Sequence, residues 1–251
     1  VGCEDFYYEK EAKDGKCPDH LTTLERIEEE NYLFRLSRYQ DALVELIESN
    51  TLRIVPASKR NETLAFIKGG LMDFSVSRSR RRAGDWGITV PGDDDQVMYV
   101  WYDALANYIT ALDLDESSEK YKRYWVNAPT RIHCIGKGIN RFHTVYWPAM
   151  LLSAGLPLPT TVFIHGYLTM NGQKISKSLG NVIDPMTQVE QLGSDAVRYF
   201  LLRGVSPTED GDYSESRFKE LYNADLANNL GNLARVAGRL LHPPRQRCTR
   251  G

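Results

Sequence analysis

The stretch RIHCIGKGINRFHTVYWPAMLLS, residues 131–153, decides the fold class of this chain. Its first five residues are mainly apolar and stop at a Gly-Lys-Gly turn, which predicts a buried strand over 131–135. From Ile139 to Ser153 apolar residues recur at helical spacing, which predicts a long helix. A strand joined to a helix through glycine is typical of the units that build a parallel α/β sheet.

The segments on either side repeat this strand and helix pattern. Residues 97–100 are apolar and precede a predicted helix over 102–112. Residues 161–164 form a third strand candidate, which ends at His165-Gly166. We therefore predict an α/β fold with a parallel sheet, a small module before it and an α-helical part after it.

Local signals predict the smaller elements. Asn171-Gly172 is typical of a type I′ hairpin turn. Asp184-Pro185 is typical of a helix start, with Asp as the N-cap and Pro at the first helical position. The composition of residues 78–87 indicates a loop. Helical patterns occur at 31–49, at 61–72, from Ser194 onward and over 214–241.

The composition indicates an ordered globular protein. Of 251 residues, 42% are hydrophobic and 25% are charged, and no apolar run approaches the roughly 20 residues of a membrane span. The net charge of -2 means that a polyanion would have to bind through local patches. Four cysteines favour a reducing compartment, the cytoplasm, over a disulfide framework. The sequence gives no oligomeric state.

Both ends of the chain indicate an interior piece of a longer protein. The chain begins Val-Gly-Cys, with neither an initiator Met nor the pattern of a signal peptide. Residues 242–251 follow a strong helical pattern and have the composition of a frayed end.

Two lysines lie three apart in KISKS, residues 174–178, among small hydroxyl side chains. Such a loop lets ammonium groups and backbone N–H groups approach a triphosphate, whose charge grows on the non-bridging oxygens during nucleotidyl transfer. A solvated Lys/Ser loop is the better explanation of these five residues when they are taken alone.

Five motifs in a fixed order resemble those of the methionyl-tRNA synthetases, a family of class I aminoacyl-tRNA synthetases. They are WGI at 86–88, YVWYDA at 99–104, IGKGINRFH at 135–143, KISKSLGNVIDP at 174–185 and DAVRYFLLR at 195–203. KISKS matches the family's KMSKS signature with Ile175 in place of Met. The resemblance covers Cys3 to about Arg239, but the chain has no His-x-Gly-His, so the first half of the family's Rossmann domain is missing.

This resemblance implies a division of the chain into four parts. The parts are a connective-peptide insertion with a partial zinc knuckle (1–85), the second half of the Rossmann catalytic domain (86–172), the KMSKS loop with a stem-contact region (173–213), and the start of a helical anticodon-binding domain (214–251).

It also implies the reaction: methionine is activated with ATP and Mg²⁺ and transferred to tRNA(Met). The implied catalytic residues are Lys174 and Lys177, which would stabilise the triphosphate and the leaving pyrophosphate. The implied ATP-binding residues are the same two lysines with Ser176, Ser178, His165 and Gly166. Because the HIGH half is missing, we expect the isolated chain to be inactive.

Aromatic residues at helical spacing predict a common face, since Trp101 and Tyr108 are seven apart and His143 and Trp147 are four apart. Stripes of this kind are usually core. The resemblance assigns all four to the methionine pocket, where rings suit a polarizable thioether. The family usually has Asp at the position of Gly138, so an acidic role there is lost.

Cys3, Cys17 and His20 predict part of a zinc site. Cys17 and His20 form a Cys-x-x-His knuckle, and tetrahedral zinc would need a second pair around Cys3. The missing ligand would lie three residues ahead of Cys3, before the chain begins. Some methionyl-tRNA synthetases carry such a knuckle, so the resemblance implies Zn²⁺, bound weakly here.

Two basic or polar features are linked to RNA. Arg78 and Arg80–Arg82 form a run that is typical of a solvated loop, with contact to tRNA phosphates as the alternative. Asn232 matches a family position that helps to read the anticodon, but the family's Arg four residues later is Val236 here. His133 gives no signal beyond that of an ordinary buried residue.

Two other functions remain open from the sequence. The chain could belong to another class I synthetase, although a module of 1–85 is short for the editing insertion of the leucyl, isoleucyl and valyl enzymes. It could also be a non-catalytic RNA-binding fragment, because the HIGH half is absent.

Overall fold

The structure, a computed structural model, describes residues 15–16, 23–24, 29–84, 86–115, 117–175 and 181–241. Contacts within the chain divide it into two compact units. The smaller unit comprises Val1–Arg35 with Asp73–Asn107, and the larger unit comprises Leu36–Met72 with Tyr108–Gly251. Each unit is therefore built from two separate segments of the sequence.

The described residues contain eleven strands and ten α-helices. The strands are β1 Leu33–Phe34, β2 Arg53–Val55, β3 Phe74–Ser75, β4 Ser77–Ser79, β5 Thr89–Val90, β6 Asp93–Met98, β7 Ile132–Gly136, β8 Thr161–His165, β9 Leu168–Met170, β10 Gln173–Lys174 and β11 Gly211–Tyr213. The α-helices are α1 Gln40–Glu48, α2 Ala57–Lys68, α3 Val100–Leu105, α4 Asn107–Thr110, α5 Glu119–Tyr121, α6 Trp147–Ala154, α7 Pro185–Leu192, α8 Ser194–Arg203, α9 Glu215–Leu221 and α10 Gly231–Leu241. Single 3-10 turns and π-helical segments extend them at Leu36–Tyr39, Lys122–Val126, Lys137–Ile139, Phe142–Tyr146 and Tyr222–Leu230.

A parallel three-stranded sheet of order β2-β8-β7 forms the centre of the larger unit. Alternate side chains of β8 are buried, with Val162 at 0% and Ile164 at 1% exposure, because the two faces of a strand alternate. The strands predicted at 131–135 and 161–164 are confirmed as β7 and β8. The predicted α/β class is confirmed with them.

Strand β2 joins this sheet from an unexpected part of the chain. Ile54 pairs in register with Val162, and the helices α1 and α2 on either side of β2 pack together around Leu43 and Ile67. Three residues with an exposed Arg53 give no periodic signal, so the sequence pattern does not predict this strand. The segment 36–72, expected in the 1–85 insertion, thus contributes a strand to the parallel sheet, and the four-part division of the chain stays a proposal.

The strand predicted at 97–100 ends earlier than predicted and pairs with other strands than those of the parallel sheet. Strand β6 ends at Met98, and Val100 is already in helix α3. β6 pairs antiparallel with β4 and β5 in the smaller unit and takes no part in the parallel sheet. A short apolar run does not show whether its partners are parallel or antiparallel, since both sheets bury such residues.

Helix bounds near the start of the chain also differ from the predicted ones. The pattern at 31–49 contains strand β1 before the helix begins at Gln40. Helix α2 begins after Pro56 and ends at Lys68, four residues earlier than predicted, because Gly69-Gly70 follows and Gly70 has a φ of +100°.

The turn and capping predictions are confirmed. Asn171 and Gly172 have φ values of +51° and +75°, and they join β9 to β10 in an antiparallel hairpin. The Asp184 carboxylate accepts a hydrogen bond from the backbone N–H of Met186 at 2.9 Å, which caps α7. β11 pairs parallel with β9 on the other side of the hairpin.

A second apolar cluster supports the C-terminal helices. Phe200 on α8 and Phe218 on α9 lie 5.1 Å apart between ring centroids, and both are 2% exposed. Tyr213 of β11 completes the cluster at 5.5 Å from Phe200. The hairpin sheet and the C-terminal helices therefore share one small core.

Three aromatic rings pack together in the smaller unit. Phe34, Phe74 and Tyr102 form a triangle with centroid distances of 5.6, 6.1 and 6.2 Å.

In the part of the chain that the structure describes, no helix has the length and apolar character needed to cross a membrane.

Candidate functional site

Three of the four predicted methionine-pocket residues come together in the larger unit. Tyr108 of α4, His143 of the π-helical segment and Trp147 of α6 form one ring cluster, with centroids 5.5 Å apart for Tyr108–His143 and 6.2 Å apart for Tyr108–Trp147. The spacing of four residues between His143 and Trp147 puts both rings on the same face, as the sequence predicts. His143 and Trp147 are buried, and Tyr108 is half-buried.

Hydrogen bonds fix the tautomer of His143. Its Nδ1 lies 3.0 Å from the carbonyl oxygen of Ile139, which can only accept, so Nδ1 carries the proton. Its Nε2 lies 2.7 Å from the Tyr108 hydroxyl and therefore accepts from it. The phenol oxygen keeps its own lone pairs for a further contact.

His133 of β7 lies at the centre of the same cluster, a position that sequence reasoning missed. Its ring is 4.2 Å from Tyr108 and 5.7 Å from His143 between centroids. The indole Nε1–H of Trp147 donates to His133 Nε2 at 3.2 Å. Trp125, which sequence reasoning also did not assign to the cluster, has its ring centroid 6.0 Å from that of His133. Strand alternation could have placed His133 on the inward face of β7, but it could not have identified these partners.

Burial keeps both imidazoles neutral. Burial, together with the neighbouring His143, lowers the pKa of His133 to about 4. Burial also lowers the pKa of His143, against the opposing effect of its hydrogen bond to Ile139. Burial raises the pKa of Tyr108. The cluster is thus a set of uncharged rings with one phenol, which suits an apolar, polarizable side chain.

Trp101 belongs to the smaller unit. It lies in α3, where 54% of its surface is exposed. Trp101 is therefore not a core residue of the smaller unit, because large aromatic side chains in a core are mostly buried.

The predicted nucleotide-binding residues His165 and Gly166 lie at the carboxyl end of β8. His165 is exposed, and its Nδ1–H donates to the Gly166 carbonyl at 2.7 Å. In open α/β sheets ligands bind outside the carboxyl ends of the parallel strands. Gly136, at the end of β7, lies beside the His165 ring.

The KISKS loop lies largely outside the described residues. Lys174 is described by its backbone alone, which pairs with Thr169 at the end of β10. Ser176, Lys177 and Ser178 fall outside the described part of the chain, as do Cys3, Cys17 and His20. Among the residues that the structure does describe, no three His, Cys, Asp or Glu side chains gather in a group that could hold a metal ion.

The arginine run is only in part the solvated loop that its composition indicates, because Arg81 and Arg82 are exposed in a turn whereas Arg78 is buried. Arg78 is 9% exposed, stacks on the Tyr99 ring at 3.9 Å and donates to the Ser75 hydroxyl at 2.8 Å. Arg80 donates to the Asp94 carbonyl at 2.7 Å. These two arginines therefore make hydrogen bonds within the smaller unit.

Glu29 forms an ion pair with Arg82, the last arginine of this run. Its carboxylate lies 3.3 Å from Arg82 and also accepts from Ser79 and Asn31. Burial raises the pKa of Glu29, but hydrogen bonds from Ser79, Asn31 and Arg82 outweigh it and bring the pKa to about 2. Asn232, the predicted anticodon contact, is exposed near the start of α10.

Comparison with known proteins identifies the family. The sequence model of the tRNA synthetases class I (M) matches residues 2–237. The chain belongs to this family. The resemblance found in the five motifs is therefore confirmed over almost the whole chain.

Individual relatives of the chain support the same family assignment. Methionine–tRNA ligase of Brucella suis biovar 1 is 55% identical over 213 residues, which are 85% of this chain and 40% of that protein. Methionine–tRNA ligase of Caldanaerobacter subterraneus subsp. tengcongensis is 53% identical over 232 residues, 92% of this chain and 35% of that protein. The chain thus spans less than half the length of these relatives.

A solved structure supports the fold. The crystal structure of Mycobacterium tuberculosis methionyl-tRNA synthetase bound by methionyl-adenylate has a TM-score of 0.82 and 46% identity. The match covers 94% of this chain and 46% of the Mycobacterium chain. The parallel sheet therefore has the Rossmann-type fold of the class I synthetases.

Proposed function

We propose that this chain forms the methionine-binding and pyrophosphate-stabilising part of a methionine–tRNA ligase. The enzyme would form methionyl-adenylate from methionine and ATP, and then transfer the methionyl group to tRNA(Met). The observation that carries this proposal is the ring cluster of Tyr108, His143 and Trp147, brought together in a chain whose relatives are named methionine–tRNA ligases.

The cluster would select methionine through its thioether. A sulfur atom beside aromatic rings gains about 0.3–1.5 kcal/mol, and a phenol can donate weakly to it. Because the imidazoles are neutral, a charged side chain would lose its hydration without gaining a counter-ion. The family resemblance assigns Trp101 of the smaller unit to methionine binding as well.

Activation would need no side-chain nucleophile. The methionine carboxylate attacks the α-phosphorus of ATP, the bond to the β-phosphate oxygen breaks, and pyrophosphate leaves. Lys174 and Lys177 would stabilise the charge that grows on the triphosphate, with Ser176, Ser178, His165 and Gly166 holding the nucleotide. Mg²⁺ would neutralise the phosphate oxygens when it is bound.

Further proposals concern other parts of the chain. Asn232 would contact the tRNA, and the four-part division at 1–85, 86–172, 173–213 and 214–251 would separate insertion, catalytic, stem-contact and anticodon regions. Cys3, Cys17 and His20 supply two thiolates and one imidazole, three of the four ligands that structural zinc takes. The cytoplasm, with its reduced thiols, suits this set.

The proposal is tested in a chimera in which this chain replaces the matching segment of the Brucella suis enzyme. We expect the chimera to catalyse methionine-dependent exchange of pyrophosphate into ATP. Lys177→Ala should lower the rate of this exchange about 10²-fold or more, as loss of one charge-stabilising group typically does, with little change in the KM for methionine.

Lys219→Ala is the matched control. Lys219 is an exposed lysine on α9, where it pairs with Glu215, and it should leave the exchange rate unchanged. An inactive chimera that folds would contradict the proposed function. Equal rates for Lys177→Ala and the parent chimera would contradict the role given to Lys177.

A further inference from the structure

A polar cluster joins the parallel sheet to the hairpin that leads into the KISKS loop. Lys137, just after β7, places its Nζ 2.6 Å from Asp210 Oδ2. The other carboxylate oxygen of Asp210 accepts from the backbone N–H of Tyr167 at 2.8 Å. Tyr167 immediately precedes β9, so one carboxylate links the end of β7 to the start of the hairpin.

Further contacts strengthen this link. Lys137 Nζ lies 4.8 Å from the centre of the Tyr167 ring, within the range of a cation–π contact. The Tyr167 carbonyl accepts from the N–H of Gly211, the first residue of β11, at 2.9 Å. Tyr167 is therefore bound to the segment 210–211 through both its N–H and its carbonyl.

Two glycines allow these groups to approach closely. A Cβ at Gly138 would lie 2.1 Å from the Tyr167 hydroxyl, and a Cβ at Gly166 would lie 2.2 Å from the backbone of Glu209. Neither position has room for a side chain unless its neighbours move. The close packing extends from the end of β7 across β8 to the loop before β11.

We propose that Lys137 and Asp210 are positioning residues for the KISKS loop. Their ion pair and the hydrogen bond from Tyr167 hold the β9–β10 hairpin at the carboxyl edge of the parallel sheet. The hairpin ends at Lys174, only seven residues after Tyr167. The position of the hairpin therefore sets the position at which the KISKS loop begins. The inference rests on the proposed function for its catalytic consequence, but its structural part stands on these contacts.

The ion pair differs from other short pairs in what it connects. Lys219–Glu215 is equally short at 2.6 Å, but it lies within one helix turn of α9. Lys137–Asp210 joins residues 73 positions apart and shares its carboxylate with a backbone N–H of the hairpin. Loss of the first pair should remain local, whereas loss of the second should release the hairpin.

The structural part is tested by amide hydrogen exchange on the full 251-residue chain. Lys137→Met should speed exchange at residues 167–174 about two- to fivefold, the effect of one partly exposed ion pair. Asp210→Asn should speed it about tenfold, because the charged acceptor of the Tyr167 N–H is lost as well. Lys137→Arg, which keeps the charge, should stay near the parent, and Lys219→Met is the matched control.

Strand β8 is the internal reference, since it lies in the sheet that the hairpin is tied to. Its exchange should not change in any of these variants. The inference is overturned if residues 167–174 exchange as in the parent, if Lys219→Met has the same effect, or if β8 accelerates to the same extent and so reports global loosening.

The catalytic part is tested in the chimera. Lys137→Met should lower kcat for pyrophosphate exchange while the KM for methionine stays within about twofold, a split that loss of the methionine pocket would not give. A chimera with an unchanged kcat would overturn this part. If the unsubstituted chimera is inactive, the proposed function fails, and the exchange experiment still decides the positioning role.

Discussion

At the residue scale, the most informative group is His133, which the sequence presents as an ordinary buried residue. It stands between Tyr108, His143 and Trp125, and it accepts from Trp147 through an unprotonated Nε2. Its neutrality is a condition for the cluster, because a proton on Nε2 would remove the acceptor of the indole N–H. A histidine in water becomes charged below about pH 6.5, whereas burial lowers the pKa of His133 to about 4 and so keeps it neutral at neutral pH.

His133 should make stability depend on pH. In the unfolded chain an imidazole binds a proton below about pH 6.5, whereas the folded pKa is about 4. The unfolded state therefore binds more protons between these values, so stability is highest above pH 6.5 and falls as the pH drops toward 4. The contribution of this one group is at most about 3 kcal/mol.

The measurement is the free energy of unfolding by denaturant at several pH values between 4 and 7. His133→Gln is the matched variant, because its amide oxygen can still accept from Trp147 while the side chain does not titrate. We expect a flatter profile for His133→Gln, with His143 accounting for part of the remaining slope. Parallel profiles for the two proteins would contradict the assignment.

At the element scale, turns and caps followed from short stretches of sequence, whereas strand partners did not. The Asn171-Gly172 turn and the Asp184 cap are local, since backbone conformation and a neighbouring N–H decide them. The pairing of β2 and β6 depends on distant residues, because β2 gives no periodic signal and the apolar end of β6 suits a parallel or an antiparallel neighbour. β6 accordingly pairs antiparallel in the smaller unit, and β2 completes the parallel sheet.

Gly166 provides a test at this scale. Replacing it by Ala places a Cβ within 2.2 Å of Glu209 and 2.6 Å of the Asp210 nitrogen, which are backbone atoms that cannot rotate away. We expect the free energy of unfolding to fall by about 1–3 kcal/mol, the usual cost of overpacking.

Gly238→Ala is the control for this measurement. Gly238 lies in α10 with nothing within 4 Å of its added Cβ. Alanine favours a helix over glycine, so this variant should keep or raise stability by up to about 1 kcal/mol. A Gly166→Ala protein as stable as the parent would show that the loop at 209–210 is not packed against β8.

At the scale of the whole molecule, the chain carries only part of the machinery of its family. It spans 40% of the Brucella suis relative and 46% of the Mycobacterium tuberculosis structure. Its sequence has no His-x-Gly-His, although it keeps the KISKS loop. Nucleotide activation by placement and charge needs every group in position at once, so a subset should give little rate enhancement.

We therefore expect the purified 251-residue chain to show no methionine-dependent exchange of pyrophosphate into ATP. The chimera measured in parallel is the positive control, and circular dichroism shows whether the chain is folded. Robust exchange by the folded chain alone would contradict this expectation and would make the 251 residues sufficient for activation.

The sequence alone determined the strands β7 and β8, the hairpin turn, the cap of α7 and the family, because each depends on neighbouring residues or on motifs in a fixed order. The tertiary structure alone decided that β2 enters the parallel sheet, that Arg78 is buried against Tyr99, and that His133 joins the ring cluster. These outcomes depend on which surfaces meet after the chain has folded, and contact between distant residues leaves no periodic trace in either segment.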